Sequence, residues 1–266
     1  MKIKKRKPSF VFLAVIKALF LRELEMRMSS GKSGILWTFL EPFLQVFVFI
    51  YIHILIKEHG GSTSMDLYSY AVFMASGFVS FNMFRQILGK SLGAFSANRG
   101  LFNYKQVKPI DTIIARVCVE VFLTMCIAII FLIIGFLFDV DNYIPKNILS
   151  VCLSIIWLII FSFGIGLVAG IGNFFYMSIG KFIGIMSFIL LIFSAVFFPM
   201  STMPQAAQDI LLYNPLVHFM EMIHSFYLNG LNDNLVDYTY VIYWTIIPIF
   251  IGLWLYIRLE KRIISQ

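Results

Sequence analysis

Charge is what this chain is short of. Asp, Glu, Lys and Arg make up only 13% of its 266 residues, about half the share with which a globular domain covers its surface. Apolar residues make up 60%, and they fall in windows of about 20 with almost no ionisable group, so lipid rather than water must solvate much of the surface. That excludes a soluble domain. Cysteine is scarce as well: Cys118, Cys126 and Cys152 are odd in number, lack Cys-x-x-Cys spacing and lie within apolar runs. They read as small buried apolar residues, which leaves no disulfide framework or zinc site. No cleavable leader is expected, because the apolar stretch after the basic start runs into Arg22, Glu23 and Arg27 with no small-residue cleavage site.

Nucleotide-binding loops are equally absent. Gly31-Lys32-Ser33 has Met26 where a P-loop needs its first Gly. Gly164-Ile165-Gly166-Leu167-Val168-Ala169 imitates a dinucleotide fingerprint, but it sits inside an apolar run with no acid about twenty residues on. Gly166 and Gly170, like Gly180 and Gly184, are four apart, the spacing that lets neighbouring helices approach closely. The net charge of +7 is carried in short tracts beside apolar runs, a pattern of membrane topology rather than nucleic-acid binding.

The apolar runs predict an all-α polytopic membrane protein with six transmembrane helices. They span about Ile35–Ile56, Leu67–Leu88, Val117–Phe138, Ile148–Ile171, Phe182–Phe198 and Tyr238–Ile257. Residues 9–28 are too short an apolar stretch to cross and are mixed with charge, so they predict an amphipathic helix in the inner interface behind the basic tail Met1–Lys7. Pro199 to Asp237 is too polar to span yet keeps apolar runs broken by Pro204 and Asn214-Pro215. Two short re-entrant helices between spans five and six fit that segment. Of the 21 Lys and Arg only Lys57 and Lys146 then fall outside, and Phe182–Ile257 has none while carrying Asp209, Glu221, Asp233 and Asp237. Both termini are therefore expected in the cytoplasm of a multi-pass membrane protein.

Between spans two and three lies a polar island, Asn98 to Arg116, which holds Arg99, Lys105, Lys108 and Arg116 against the single acid Asp111. So basic a loop belongs on the cytoplasmic side, where another protein can touch it. Glu41 stands one to two turns inside span one, where an acid is costly and needs a partner, for which Arg116 or Arg85 is placed. Glu120 could serve the same role. His218, Glu221 and His224 are three apart and spread over about 120° of a helix face, a spacing able to hold a metal, although satisfied polar groups at the outer mouth fit better. Aromatic residues make up 17% of the chain. They suit lipid-facing bulk and interfacial belts, or a conduit for sugar rings lined by Trp37, Tyr68, Tyr70, Phe73, Phe197 and Phe198.

The stretches Ala18–Glu23 (ALFLRE), Leu36-Trp37 with Leu40-Glu41-Pro42, Gly100–Tyr104 with Val107–Arg116, and Asn214–His218 with Glu221 together resemble the permease subunit of capsular-polysaccharide ABC exporters. That family is part of the type-2 ABC exporter group, and the matching stretches fall across the whole chain. The resemblance implies a single transmembrane domain over residues 1–266, non-catalytic and without a cofactor of its own, ATP and Mg being bound by a partner. It implies a homodimer with two ABC ATPase subunits, periplasmic and outer-membrane export partners, and an acidic lipid-linked polysaccharide as cargo. Residues 98–110 would be the ATPase-coupling region, with Arg99, Leu101, Phe102, Asn103, Tyr104, Lys105 and Lys108 at the contact and Phe102 and Tyr104 as knobs. The resemblance makes residues 199–228 the gate, with Asn214, Pro215, His218 and Glu221; separately, the cost of an acid inside span one makes Glu41 with Arg116 the expected structural ion pair. Two rivals remain: a type-2 permease for O-antigen, lipid or drug, and an integral-membrane transferase, for which only the His218, Glu221 and His224 group comes near a catalytic set.

Overall fold

A computed structural model of the chain describes residues 8–29, 32–58, 67–140 and 142–265. The basic tail Met1–Lys7, Gly31 and loop residues 59–66, with His59, lie outside the described residues. The described residues form α1 (Pro8–Ser29), α2 (Lys32–Glu58), α3 (Leu67–Leu92), α4 (Pro109–Leu137), α5 (Ile148–Phe175), α6 (Ser178–Ile192), α7 (Gln205–Leu211), α8 (Pro215–Tyr227) and α9 (Tyr238–Ser265). Two 3₁₀ helices, Ser96–Asn103 and Met200–Thr202, complete them. No strand occurs among the described residues.

Four helices are long and apolar enough to cross a bilayer: α3 from Ser69, α4, α5 and α9. The other two expected crossings are shorter in their apolar part. In α2 it covers Phe39–Ile52, and α6 has 15 residues, a rise of roughly 22 Å against a hydrocarbon layer of about 30 Å.

Helix boundaries depart from the apolar runs where capping chemistry overrides hydropathy. The helix expected from Val117 starts at Pro109. There Pro109 takes the first helical position and the Asp111 carboxylate accepts from the Lys108 N–H at 2.9 Å, so the polar end of the island is helix rather than loop. Conversely, the helix expected to reach Phe198 ends at Ile192. Asn214 Nδ2 captures the Phe193 carbonyl at 3.0 Å and Ser194 Oγ at 2.9 Å, and Ala195 takes φ 55°, a left-handed conformation no helix can pass through.

Helix α5 forms the centre, packed between α3 and α9. Its glycines make this possible: a Cβ on Gly164 would meet Ile249 of α9, and one on Gly170 would lie 2.7 Å from the Ser91 carbonyl of α3. The expected packing role therefore holds for Gly166 and Gly170. Gly180 abuts Asn173, but Gly184 faces open space. Trp157 donates to Thr245 Oγ1 at 2.8 Å across the α5–α9 seam. Around it lie Phe78, Phe81, Phe84, Phe95, Phe161 and Phe219, all fully buried.

Two expectations about the helix faces are overturned. Cys118 and Cys152 are exposed and Cys126 half-exposed, because they lie on the outward faces of α4 and α5, where apolar residues stay uncovered in a lipid-solvated fold. Nor are the apolar residues of α1 confined to one face. Val15 and Leu19 pack on Ala115 of α4, while Phe10, Leu13 and Leu21 stand exposed, and the buried charge is gathered toward the C-terminal end.

Candidate functional site

The basic island folds into an ordered turn. The 3₁₀ helix Ser96–Asn103 is closed by Tyr104 N–H to the Leu101 carbonyl at 3.1 Å, and Val107 N–H then returns to the Tyr104 carbonyl at 2.9 Å. Asn98 and Phe102 turn inward, while Arg99, Asn103, Tyr104, Lys105 and Lys108 face out and Leu101 is half-covered. Arg99 stacks its guanidinium over the Phe174 ring at 5.0 Å, which fixes one flank of the turn to the end of α5. The two expected aromatic knobs thus separate. Tyr104 is 65% exposed, whereas Phe102 is 6% exposed and packed in the main core, so it cannot reach a partner's surface.

The expected pairing of Glu41 with Arg116 does not form. Glu41 lies 3.4 Å from Arg85, the second candidate, which also donates to Asn82 Oδ1 at 2.9 Å. Arg116 instead meets Glu23 of α1 at 3.4 Å and donates to the Lys90 carbonyl. Glu120 pairs with Arg27 of α1, and Arg22 of α1 donates to Asn98 on the turn. The reason is the seat of α1: it lies along the first turns of α4, so its charges reach Arg116 and Glu120 before those of α2 can.

At the other end of the bundle the chain from Phe193 to Asp237 forms a broken hairpin. Its backbone interruptions would leave polar groups buried without partners, and the expected gate residues satisfy them. Asn214 caps α8, its Oδ1 accepting from Leu216 N–H at 3.0 Å, and Pro215 occupies the first helical position. The Glu221 carboxylate accepts from the fully buried Met200 N–H at 2.8 Å. His218 Nε2 donates to the Leu212 carbonyl at 2.9 Å while its Nδ1 accepts from Asp237 N–H at 3.2 Å, which requires the neutral Nε2–H tautomer. Leu216 to Ser225 are all buried, so α8 is enclosed on every side, whereas α7 buries no residue.

His218, Glu221 and His224 do not converge: His224 stacks on Phe73 at 3.8 Å, away from the partners of the other two. Among the described residues no group of three His, Cys, Asp or Glu is arranged to hold a metal.

The aromatics expected along a path also divide. Phe73 is fully buried and Phe197 packs on Phe49 at 4.2 Å. Phe198 is partly buried beside Met200 and Val217, and Tyr70 is partly buried at the edge of the main core. Trp37 is exposed, and the side chain of Tyr68 lies outside the described residues.

A profile of the ABC-2 type transporter family matches residues 14–228, a stretch that includes the charged end of α1, the basic turn, α5 and the hairpin through α8. The chain belongs to the ABC-2 type transporter family. Among individual ABC-2 relatives it is 34% identical to the polysialic acid transport protein KpsM of Escherichia coli, over 94% of this chain and 95% of that one. It is 28% identical to the capsule polysaccharide export inner-membrane protein CtrC of Neisseria meningitidis, over 95% and 93%. With the capsule polysaccharide export inner-membrane protein BexB of Haemophilus influenzae it shares 31% identity over 84% and 82%. In this ABC-2 protein the aligned span therefore contains both ends of the site: the turn that exposes Tyr104 and the hairpin closed by Asn214, His218 and Glu221.

Proposed function

We propose that this chain is the permease subunit of an ATP-driven exporter of capsular polysaccharide across the bacterial inner membrane. The observation that carries the reading is its near full-length relation to three proteins named for polysialic acid transport or capsule polysaccharide export. In this reading α2 and α6 complete six crossings with α3, α4, α5 and α9, both termini are cytoplasmic, and α7 with α8 is re-entrant from the outer side. The chain performs no chemistry. ATP and Mg bind a separate ATPase subunit, two copies of which grip the turns of a homodimer through Tyr104, Arg99 and Lys105.

In this reading the dimer forms through exposed apolar faces of α2 and α6. Trp37, Leu40, Leu44 and Phe47 line one side of α2, and Phe182 and Ile185 are exposed on α6, a distribution suited to a second copy and to a path between protomers. Partner ATPases closing on ATP would push the basic turns, and α8, sealed in the core, would hold its place while the exposed α7 side of the hairpin yields. The acidic, lipid-linked polymer then passes to periplasmic and outer-membrane partners.

The test is deletion of the gene combined with purification of the tagged protein from membranes. The expected result is capsular polysaccharide accumulating in the cytoplasm and an ATPase subunit recovered in equal number. Normal capsule at the cell surface of the deletion strain, or O-antigen accumulating in place of capsule, would overturn the reading.

A further inference from the structure

Along α1 the residues Val15, Leu19, Glu23 and Arg27 are four apart and so share one stripe. Its first half is apolar: Val15 and Leu19 pack on Ala115 of α4, with Leu101 and Val107 of the basic turn against the same cluster. Its second half is ionic: Glu23 meets Arg116, and Arg27 meets Glu120 and also lies 3.9 Å from Glu23. Arg22, beside the stripe, bonds Asn98 of the turn, and Asn98 in turn donates to the Ala94 carbonyl at 2.7 Å. Arg116 closes the lattice by donating to the Lys90 carbonyl at the end of α3. Glu23, Asn98, Arg116 and Glu120 are each at least nine-tenths buried.

We infer that Arg22, Glu23, Arg27, Asn98, Arg116 and Glu120 are positioning residues that fix the register of α1 on the basic turn and α4, so that the three move as one body during transport. The inference rests on the reading of the turn as the contact with the ATPase. Apolar packing alone does not supply this, because it is non-directional and lets helices slide. Buried ion pairs add little net stability, since desolvation offsets their attraction, but they single out one register. The charge order makes the register unique. A one-turn slide of α1 toward its C-terminus would bring Leu19 to Arg116 and Glu23 to Glu120, taking Arg116 and Arg27 from their partners across the seam and setting two carboxylates together.

The test is a charge exchange in the full complex, with protein accumulation, ATPase recovery and polymer exported per ATP hydrolysed all measured. Arg27→Glu and Glu120→Arg each place like charges together and are expected to lower export per ATP about tenfold, with the subunit still in the membrane. The fourfold exchange Glu23→Arg, Arg27→Glu, Arg116→Glu and Glu120→Arg restores both pairs in reversed order with the signs still alternating along each helix, and is expected to bring back part of the coupling that either single variant loses. Where a single variant does not accumulate, Glu120→Gln, which keeps size and shape, is expected to lose coupling while still recovering the ATPase. The inference is overturned if the exchange couples no better than the single variants at equal abundance, or if Glu120→Gln exports normally per ATP. Failure of the underlying function reads out separately, as a starting protein that recovers no ATPase or exports no polymer.

Discussion

The separation of Phe102 from Tyr104 carries the sharpest test, because the sequence places both in one exposed contact and the structure does not. Phe102 is 6% exposed and belongs to the main buried core. An aromatic side chain buries roughly 150–250 Å², and at about 25 cal/mol/Å² that is worth about 4–6 kcal/mol. Truncations of this kind in packed cores cost about 3–5 kcal/mol. Phe102→Ala should therefore lower Tm by on the order of 10 °C and reduce the amount of folded protein in the membrane. Tyr104, 65% exposed, makes no such contribution, and Tyr104→Ala should stay within about 0.5 kcal/mol of the parent stability. Its effect should instead appear as ATP hydrolysis continuing with export lost. Thermal unfolding of the purified subunit, beside export per ATP in the assembled complex, separates the two. A stable Phe102→Ala that uncouples, or a Tyr104→Ala that melts early, would refute the assignment of inward and outward faces.

Two further outcomes follow from the packing. Glu221→Leu removes the acceptor of the buried Met200 N–H and should destabilise by about 1–3 kcal/mol, while Glu221→Gln, which keeps an acceptor oxygen, should cost less; equal losses in thermal unfolding would count against a backbone-closing role. Gly170→Ala drives a Cβ to 2.7 Å from the Ser91 carbonyl and should cost about 1–3 kcal/mol by overpacking, whereas Gly184→Ala, facing open space, should be neutral or slightly stabilising in the same measurement.

What was legible in the residues was whatever a local pattern controls. Apolar runs located α2, α3 and α5 to within about four residues and the start of α9, whose basic end past Ile257 continues as helix to Ser265, and the Asn214-Pro215 step marked the start of α8, because length, hydropathy and capping act within one element. Contacts between distant elements were mostly not legible, the exception being Glu41 with Arg85, one of the two partners its position suggests. The sequence shows Arg116 and Glu41 as charges in need of partners, but that Arg116 turns to Glu23 depends on where α1 settles, about ninety residues away in the chain. A weak signal was present: Glu23 and Arg27 continue the four-residue spacing of Val15 and Leu19, so the buried stripe ends in charge, and charge on a buried stripe asks for a counter-charge. The enclosure of α8 was hidden for a related reason. His218, Glu221 and His224 look like surface residues, and two of them are buried because they complete the backbone of a broken neighbour.

The early start of α4 has a mechanical consequence. From Pro109 to Leu137 it is one helix of 29 residues whose interior holds no proline and whose one glycine, Gly135, lies near the far end, a rod of roughly 44 Å. A rod without a joint delivers displacement from one tip to the other with little loss. Helix α9, which touches the same turn, carries Pro248 midway, where the missing hydrogen bond creates a compliant knee. Under the proposed function, displacement of the basic turn would reach the loop beyond Leu137 through one unbroken helix, whereas α9 offers no such continuous ladder past Pro248.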